Sequence, residues 1–214
     1  MRRSRYYKPV VFTACLMPLG ALAWKAFQGD LGANPIEVIT HSTGLWTLIF
    51  LLITLSITPL RKLTSQPWLI QFRRMLGLFA FFYGSLHFLT YFWLDKFFDF
   101  GEIFKDVYKR PFITAGFTAF VLMVPLAVTS TRGWIRRLGG KRWNLLHKLI
   151  YLSATAGVIH FIWLVKKDLT EPIRYAIVLG ILLGYRIVVW TSQRFRKNIR
   201  RSGTPSPEVA SAAD

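Results

Sequence analysis

From Trp143 to Val165 the chain reads WNLLHKLIYLSATAGVIHFIWLV, an apolar run long enough to cross the hydrocarbon core of a bilayer. Lipid offers no water to satisfy backbone N–H and C=O groups, so such a segment must close its own hydrogen bonds, as a helix does. The fifth of six predicted spans falls here, at Leu145 to Val165. The others are Val10 to Phe27, Gly44 to Leu60, Met75 to Leu94, Pro111 to Ser130 and Ile173 to Trp190. None carries the alternating ten-residue pattern of an outer-membrane barrel. The expected fold class is an all-α integral membrane protein, with a six-helix transmembrane bundle over residues 10–190. A basic head precedes it at 1–9, and the tail at 191–214 is basic up to Arg201 and then Ser/Pro/Ala-rich and disordered.

A formal net charge of +18 would direct a soluble protein toward nucleic acid. Here the distribution of charge gives a different answer. The head, the 61–74 loop, the 131–144 loop and the tail hold eighteen basic residues, while the 28–43, 95–110 and 166–172 loops hold six basic and eight acidic ones. Cytoplasmic loops of membrane proteins concentrate Lys and Arg, so both termini are expected in the cytoplasm, with lipid rather than nucleic acid as the partner of the excess charge. The lone Cys15 excludes an intramolecular disulfide and any cysteine metal framework, and reads as a small packing residue.

Ionisable side chains inside a membrane are expensive and mark function by default. His87 lies seven residues before the end of the third span and His160 six before Lys166, so at about 1.5 Å per residue both sit at one depth in the outer half. Two imidazoles at matched depth on parallel helices can grip one haem iron from opposite faces. Each has a glycine three residues earlier, Gly84 and Gly157, on the same helix face, which would give a flat macrocycle clearance. His147 lies about 20 Å deeper and, on an ideal helix, about 140° away from His160. It is read as the ligand of a second haem if the helix unwinds, with Ala154–Gly157 as the candidate place, or else as an interfacial or propionate contact. Arg73 and Arg74 occupy its level on the third span, where a histidine partner would be needed. They and the arginines of the 131–144 loop suit headgroups, haem propionates or a flavin phosphate. His41 reads as a solvated loop or capping residue.

No G-x-G-x-x-G occurs, no soluble region is long enough for a nucleotide domain, and no nucleophile motif or carboxylate cluster is present. The chain can carry electrons, but both the donor and the site of substrate conversion are expected on partners. Two alternatives remain open, a free-standing transmembrane ferric or quinone reductase and a haem-free transporter. The latter would show broken helices, inverted repeats and paired intramembrane charges.

The segments LGANPIEVITHSTG, SITPLRKL, RRMLGLFAFFYGSLH and TRGWIRRLGGKRWNLLHKLIYLSATAGVIHFIW together resemble the MsrQ (YedZ) family over about residues 10–190. That family is the haem-binding membrane subunit of the bacterial periplasmic methionine sulfoxide reductase system, within the wider ferric-reductase-like transmembrane superfamily. The resemblance implies an inner-membrane protein that passes electrons to a periplasmic molybdopterin subunit, which reduces methionine sulfoxide in oxidised envelope proteins. It implies one b-type haem, a second being left open, and FMN, with quinol or a cytosolic flavin reductase as donor. His87, His147 and His160 match the family pattern, and arginine replaces the superfamily's second histidine on the third helix.

Overall fold

The structure, a computed structural model, describes residues 2–202, and the expected disorder of 203–214 lies outside them. Among the described residues it is helical without strands: α1 (Arg2–Phe27), α2 (Pro35–Leu63), α3 (Ile70–Leu89), α4 (Phe100–Lys109), α5 (Pro111–Val128), α6 (Arg132–Leu146), α7 (Leu149–Leu164) and α8 (Thr170–Ser202). Five segments are long and apolar enough to cross a membrane, and the pair α6 and α7, bent by 42° at its break, makes a sixth. The chain is thus an all-α membrane bundle, as expected. Its core is four helices, α2 on α3 and α5 on α7, with α1 and α8 outside them. Leu51, Leu55, Ala80, Tyr83, Ser153 and Ala154 lie at its centre, each exposed by 1% or less.

Several boundaries differ from the expected ones. α2 begins nine residues before Gly44, because Asn34 caps it by accepting from the Glu37 N–H and Pro35 is preset for the first turn. Its polar start stays helical because the Thr40 and Thr43 hydroxyls donate to carbonyls one turn back, at 2.7 Å each. His41 is therefore a helical residue. The 131–144 loop folds as α6, broken at Gly139, whose φ of 70° suits glycine alone. Helix α8 continues past Trp190 to Ser202. α3 runs on into a π-helical stretch at Thr90–Asp95.

Two buried polar side chains tie outer helices to the core. Pro18 lies inside α1, and there the Tyr83 hydroxyl accepts from the Leu19 N–H at 3.1 Å and donates to the Cys15 carbonyl at 2.9 Å. It bridges the pair that an uninterrupted helix bonds directly. On the other side Pro59, inside α2, brings no N–H to the Leu55 carbonyl. Arg186 of α8 donates to that carbonyl, to Leu182 O at 2.7 Å and to the Tyr151 hydroxyl at 3.2 Å.

α4 is docked by Asp106, whose carboxylate meets Lys96 at 2.8 Å and Arg110 at 3.2 Å. Burial pushes this carboxyl up, but the Lys96 and Arg110 charges outweigh it and hold it below the usual carboxylate value. A carboxyl lowered by folding stabilises above its unfolded pKa, and that contribution fades as pH falls through the folded one. α4 should stay docked at neutral pH and loosen only below about pH 4. A fluorescent probe at residue 105 would gain mobility across that range, and Asp106→Asn would show the mobile state at every pH.

Candidate functional site

α3 and α7 bring two imidazoles together between the hairpins. The ring centroids of His87 and His160 stand 6.1 Å apart at an interplanar angle of 72°. His87 Nδ1 lies 2.9 Å from the Thr40 carbonyl of α2, and His160 Nδ1 lies 2.6 Å from the Phe112 carbonyl of α5. A carbonyl only accepts, so each Nδ1 carries the proton and each Nε2 keeps its lone pair. Neither Nε2 makes a hydrogen bond among the described residues. Bonds from Nδ1 to a backbone carbonyl fix the tautomer and orientation of a metal-ligating imidazole. With metal–nitrogen bonds of about 2 Å, two imidazoles on opposite sides of one metal have ring centres about 6 Å apart. His87 and His160 are the residues that would hold a single metal between them, at a ring separation of 6.1 Å.

The two half-sites are built alike. Gly44 follows Thr40 by four residues and Gly116 follows Phe112 by four. Helical Cβ atoms lean toward the N-terminus, so a side chain at either glycine would cover the carbonyl one turn back. A Cβ at Gly44 would stand 2.9 Å from His87 Cε1 and Nδ1, and one at Gly116 would stand 2.7 Å from His160 Nδ1. Carbonyl and histidine are 47 residues apart in the first hairpin and 48 in the second. The hairpins run in the same sense, which makes them a parallel repeat about an axis along the bundle, not an inverted one. Sequence reasoning chose other glycines. A Cβ at Gly84 would meet the Met123 methyl at 2.9 Å, and one at Gly157 would meet only Leu48, at 3.9 Å. Gly84 thus takes part in helix packing and does not leave a bare patch. The missed signal was a glycine followed 43 or 44 residues later by a histidine.

His147 caps α6, far along the bundle from this pair. The chain unwinds at His147 itself, between α6 and α7, while Ala154–Gly157 stays regular helix. Its Nδ1 bonds the Trp143 carbonyl at 3.0 Å and its ring stacks on Trp143 at 3.8 Å. Its Nε2 is buried with no partner among the described residues. All three histidines thus have Nδ1 bonded to a backbone carbonyl. Arg73 of α3 is half-buried, whereas Arg74, one residue on, is exposed. His41 lies at the rim of the upper pair, its ring edge-on to Phe161 at 6.1 Å.

Comparison with known proteins agrees with this architecture. The family described as "Ferric reductase like transmembrane component" matches residues 42–158, from just before Gly44 almost to His160. A protein of Herminiimonas arsenicoxydans is 54% identical over 199 residues, covering 92% of this chain and 91% of its own length. One from Azospira oryzae is 53% identical over 92% of this chain and 83% of its own. A third, from Rhodospirillum rubrum, is 53% identical over 87% and 89%. All three bear the name "Protein-methionine-sulfoxide reductase heme-binding subunit MsrQ". The chain belongs to the ferric-reductase-like transmembrane family and, within it, to the MsrQ haem-binding subunits.

Proposed function

We propose that the protein carries electrons across a bacterial inner membrane through b-type haem held by His87 and His160. The observation that carries this reading is the 6.1 Å pair, with both Nδ1 atoms bonded to carbonyls and both Nε2 atoms open. Haem would supply a one-electron couple between the two hairpins. The chain's own work is to fix the two imidazoles, exclude water and set the height of the site. The basic ends of the spans lie in the cytoplasm with both termini, which puts the pair near the periplasmic face. His147 is the ligand candidate for a second haem near the cytoplasmic face. Its buried Nε2, without a partner among the described residues, suits that role, and the half-buried Arg73 of α3 suits an anionic propionate. Arg74 belongs to the headgroup layer. FMN, brought by the resemblance, has no residue assigned to it.

The name borne by the relatives describes a subunit, so the acceptor is a partner. We take it to be a periplasmic molybdopterin methionine sulfoxide reductase, with quinol or a cytosolic flavin reductase as donor. A transporter reading gains the broken α6–α7 span. It loses the paired intramembrane charges, since Arg186 bonds carbonyls and a tyrosine.

The test is the oxidised and dithionite-reduced absorption spectrum of the purified protein, with pyridine haemochrome quantitation. A bis-histidine b-type spectrum that collapses in His87→Ala and His160→Ala is expected. In His147→Ala, loss of about half the haem would indicate two haems and full retention one. A folded, haem-supplemented preparation that takes up no haem would overturn the reading. Deletion separates subunit from free-standing reductase, since only the former would abolish periplasmic methionine sulfoxide repair.

A further inference from the structure

The segment between α3 and α5 carries an aromatic surface that the site above does not use. At 100° per residue, α4 divides into three stripes. Ile103, Asp106 and Val107 form the inner one, Asp106 being buried and the other two half-buried. Lys105 and Lys109 form a charged one on the opposite side. Between them stand Phe100, Phe104 and Tyr108, which are 60%, 73% and 90% exposed.

α4 is not free to roll this stripe under. Asp106 is held by Lys96 and Arg110 and accepts from the Tyr91 hydroxyl at 3.3 Å. The Thr114 hydroxyl of α5 donates to the Val107 carbonyl. The aromatic surface also continues into the membrane spans. Phe117 of α5 lies 6.2 Å from Phe88 of α3, Phe88 lies 5.6 Å from Phe92, and Phe92 lies 5.5 Å from Phe100. Phe97 and Phe98, both with positive φ, turn the chain from the span into the helix at the end of this row.

Aromatic rings concentrate where bilayer meets water, and an amphipathic helix lies in that plane with its apolar stripe in the acyl boundary and lysines among the headgroups. Both ends of this short segment join membrane spans, so the boundary is always within reach, whereas an aqueous stripe of three such rings would be unmet in the protein alone. We propose that α4 is an interfacial anchor whose Phe100, Phe104 and Tyr108 insert into the lipid headgroup–acyl boundary at the acidic end of the bundle. It fixes the tilt and depth of the end that holds His87 and His160. The proposal does not depend on haem or on the direction of electron flow.

Single cysteines test it in a Cys15→Ala background, made at Phe104, Tyr108, Lys105 and Lys109 and labelled with bimane. The labelled proteins are placed in nanodiscs of phosphatidylcholine and phosphatidylglycerol, keeping those that elute as the unlabelled protein does. Lipid carrying a nitroxide just below the headgroup should quench labels at 104 and 108 several-fold more than those at 105 and 109. Aqueous iodide should show the reverse order. Equal iodide quenching at all four positions would overturn the anchor. So would labels at 104 and 108 shielded from both quenchers, since protein rather than lipid would then cover the stripe.

Discussion

Replacing Gly116 with alanine is expected to strip most of the low-spin haem from the protein while leaving the helices folded. The new Cβ would stand 2.7 Å from His160 Nδ1, 2.9 Å from Cε1 and 3.1 Å from Cγ, so it meets the body of the ring. The ring cannot retreat and keep its bond to the Phe112 carbonyl, since that bond runs over the same patch of helix. Overpacking of this kind costs about 1–3 kcal/mol, which corresponds to roughly 5- to 150-fold in haem affinity if the bound geometry bears all of it. Gly44→Ala should act on His87 in the same way, with contacts at 2.9 Å. Gly180→Ala on α8 is the control, since a Cβ there would meet nothing within 4 Å. Haem content by pyridine haemochrome and the low-spin signal in electron paramagnetic resonance make the comparison. Wild-type haem content and spectrum in Gly116→Ala would show that the glycine does not govern the ligand.

Gly116 lies on a helix that counting residues along the histidine's own span does not reach. The spans were legible because lipid leaves the backbone no other means of satisfying its polar groups. The equal depth of His87 and His160 followed from counting residues along parallel helices, and their rings do meet. What the count could not give is the neighbouring helix. The carbonyl that each histidine's Nδ1 bonds lies 47 or 48 residues away, on a surface that only packing defines. Same-helix spacing therefore pointed to Gly84 and Gly157, while the bonds that orient the imidazoles pass over Gly44 and Gly116. The start of α2 was hidden for a related reason. Thr40, Ser42 and Thr43 look like loop in a hydropathy profile, yet the threonine hydroxyls are satisfied within the helix. On one continuous span His147 would stand about 140° away from His160. The break falls at His147 and Lys148, between a basic helix and an apolar one.

Arg186→Met should destabilise the bundle by about 1–3 kcal/mol, because it leaves the Leu55 carbonyl and the Tyr151 hydroxyl without their partner. Its origin lies in another helix. Pro59 has no N–H for Leu55, and in lipid no water can take its place. The guanidinium fills that position while its face lies 5.2 Å from the centre of the Tyr151 ring, joining α2, α7 and α8. Two effects oppose each other in the single variant, since methionine also removes the expense of a charge within the membrane. A double-mutant cycle with Pro59→Ala separates them. Alanine restores an N–H to Leu55, so the carbonyl no longer depends on α8, while the charge effect is the same in both backgrounds. The loss on Arg186→Met should therefore shrink in the Pro59→Ala protein, by about the 0.6 kcal/mol typical of a hydrogen bond between membrane helices or more. Unfolding midpoints in mixed detergent would measure all four proteins. An equal loss in both backgrounds would mean that Arg186 acts through its charge or through Tyr151, and that the proline-freed carbonyl is satisfied some other way.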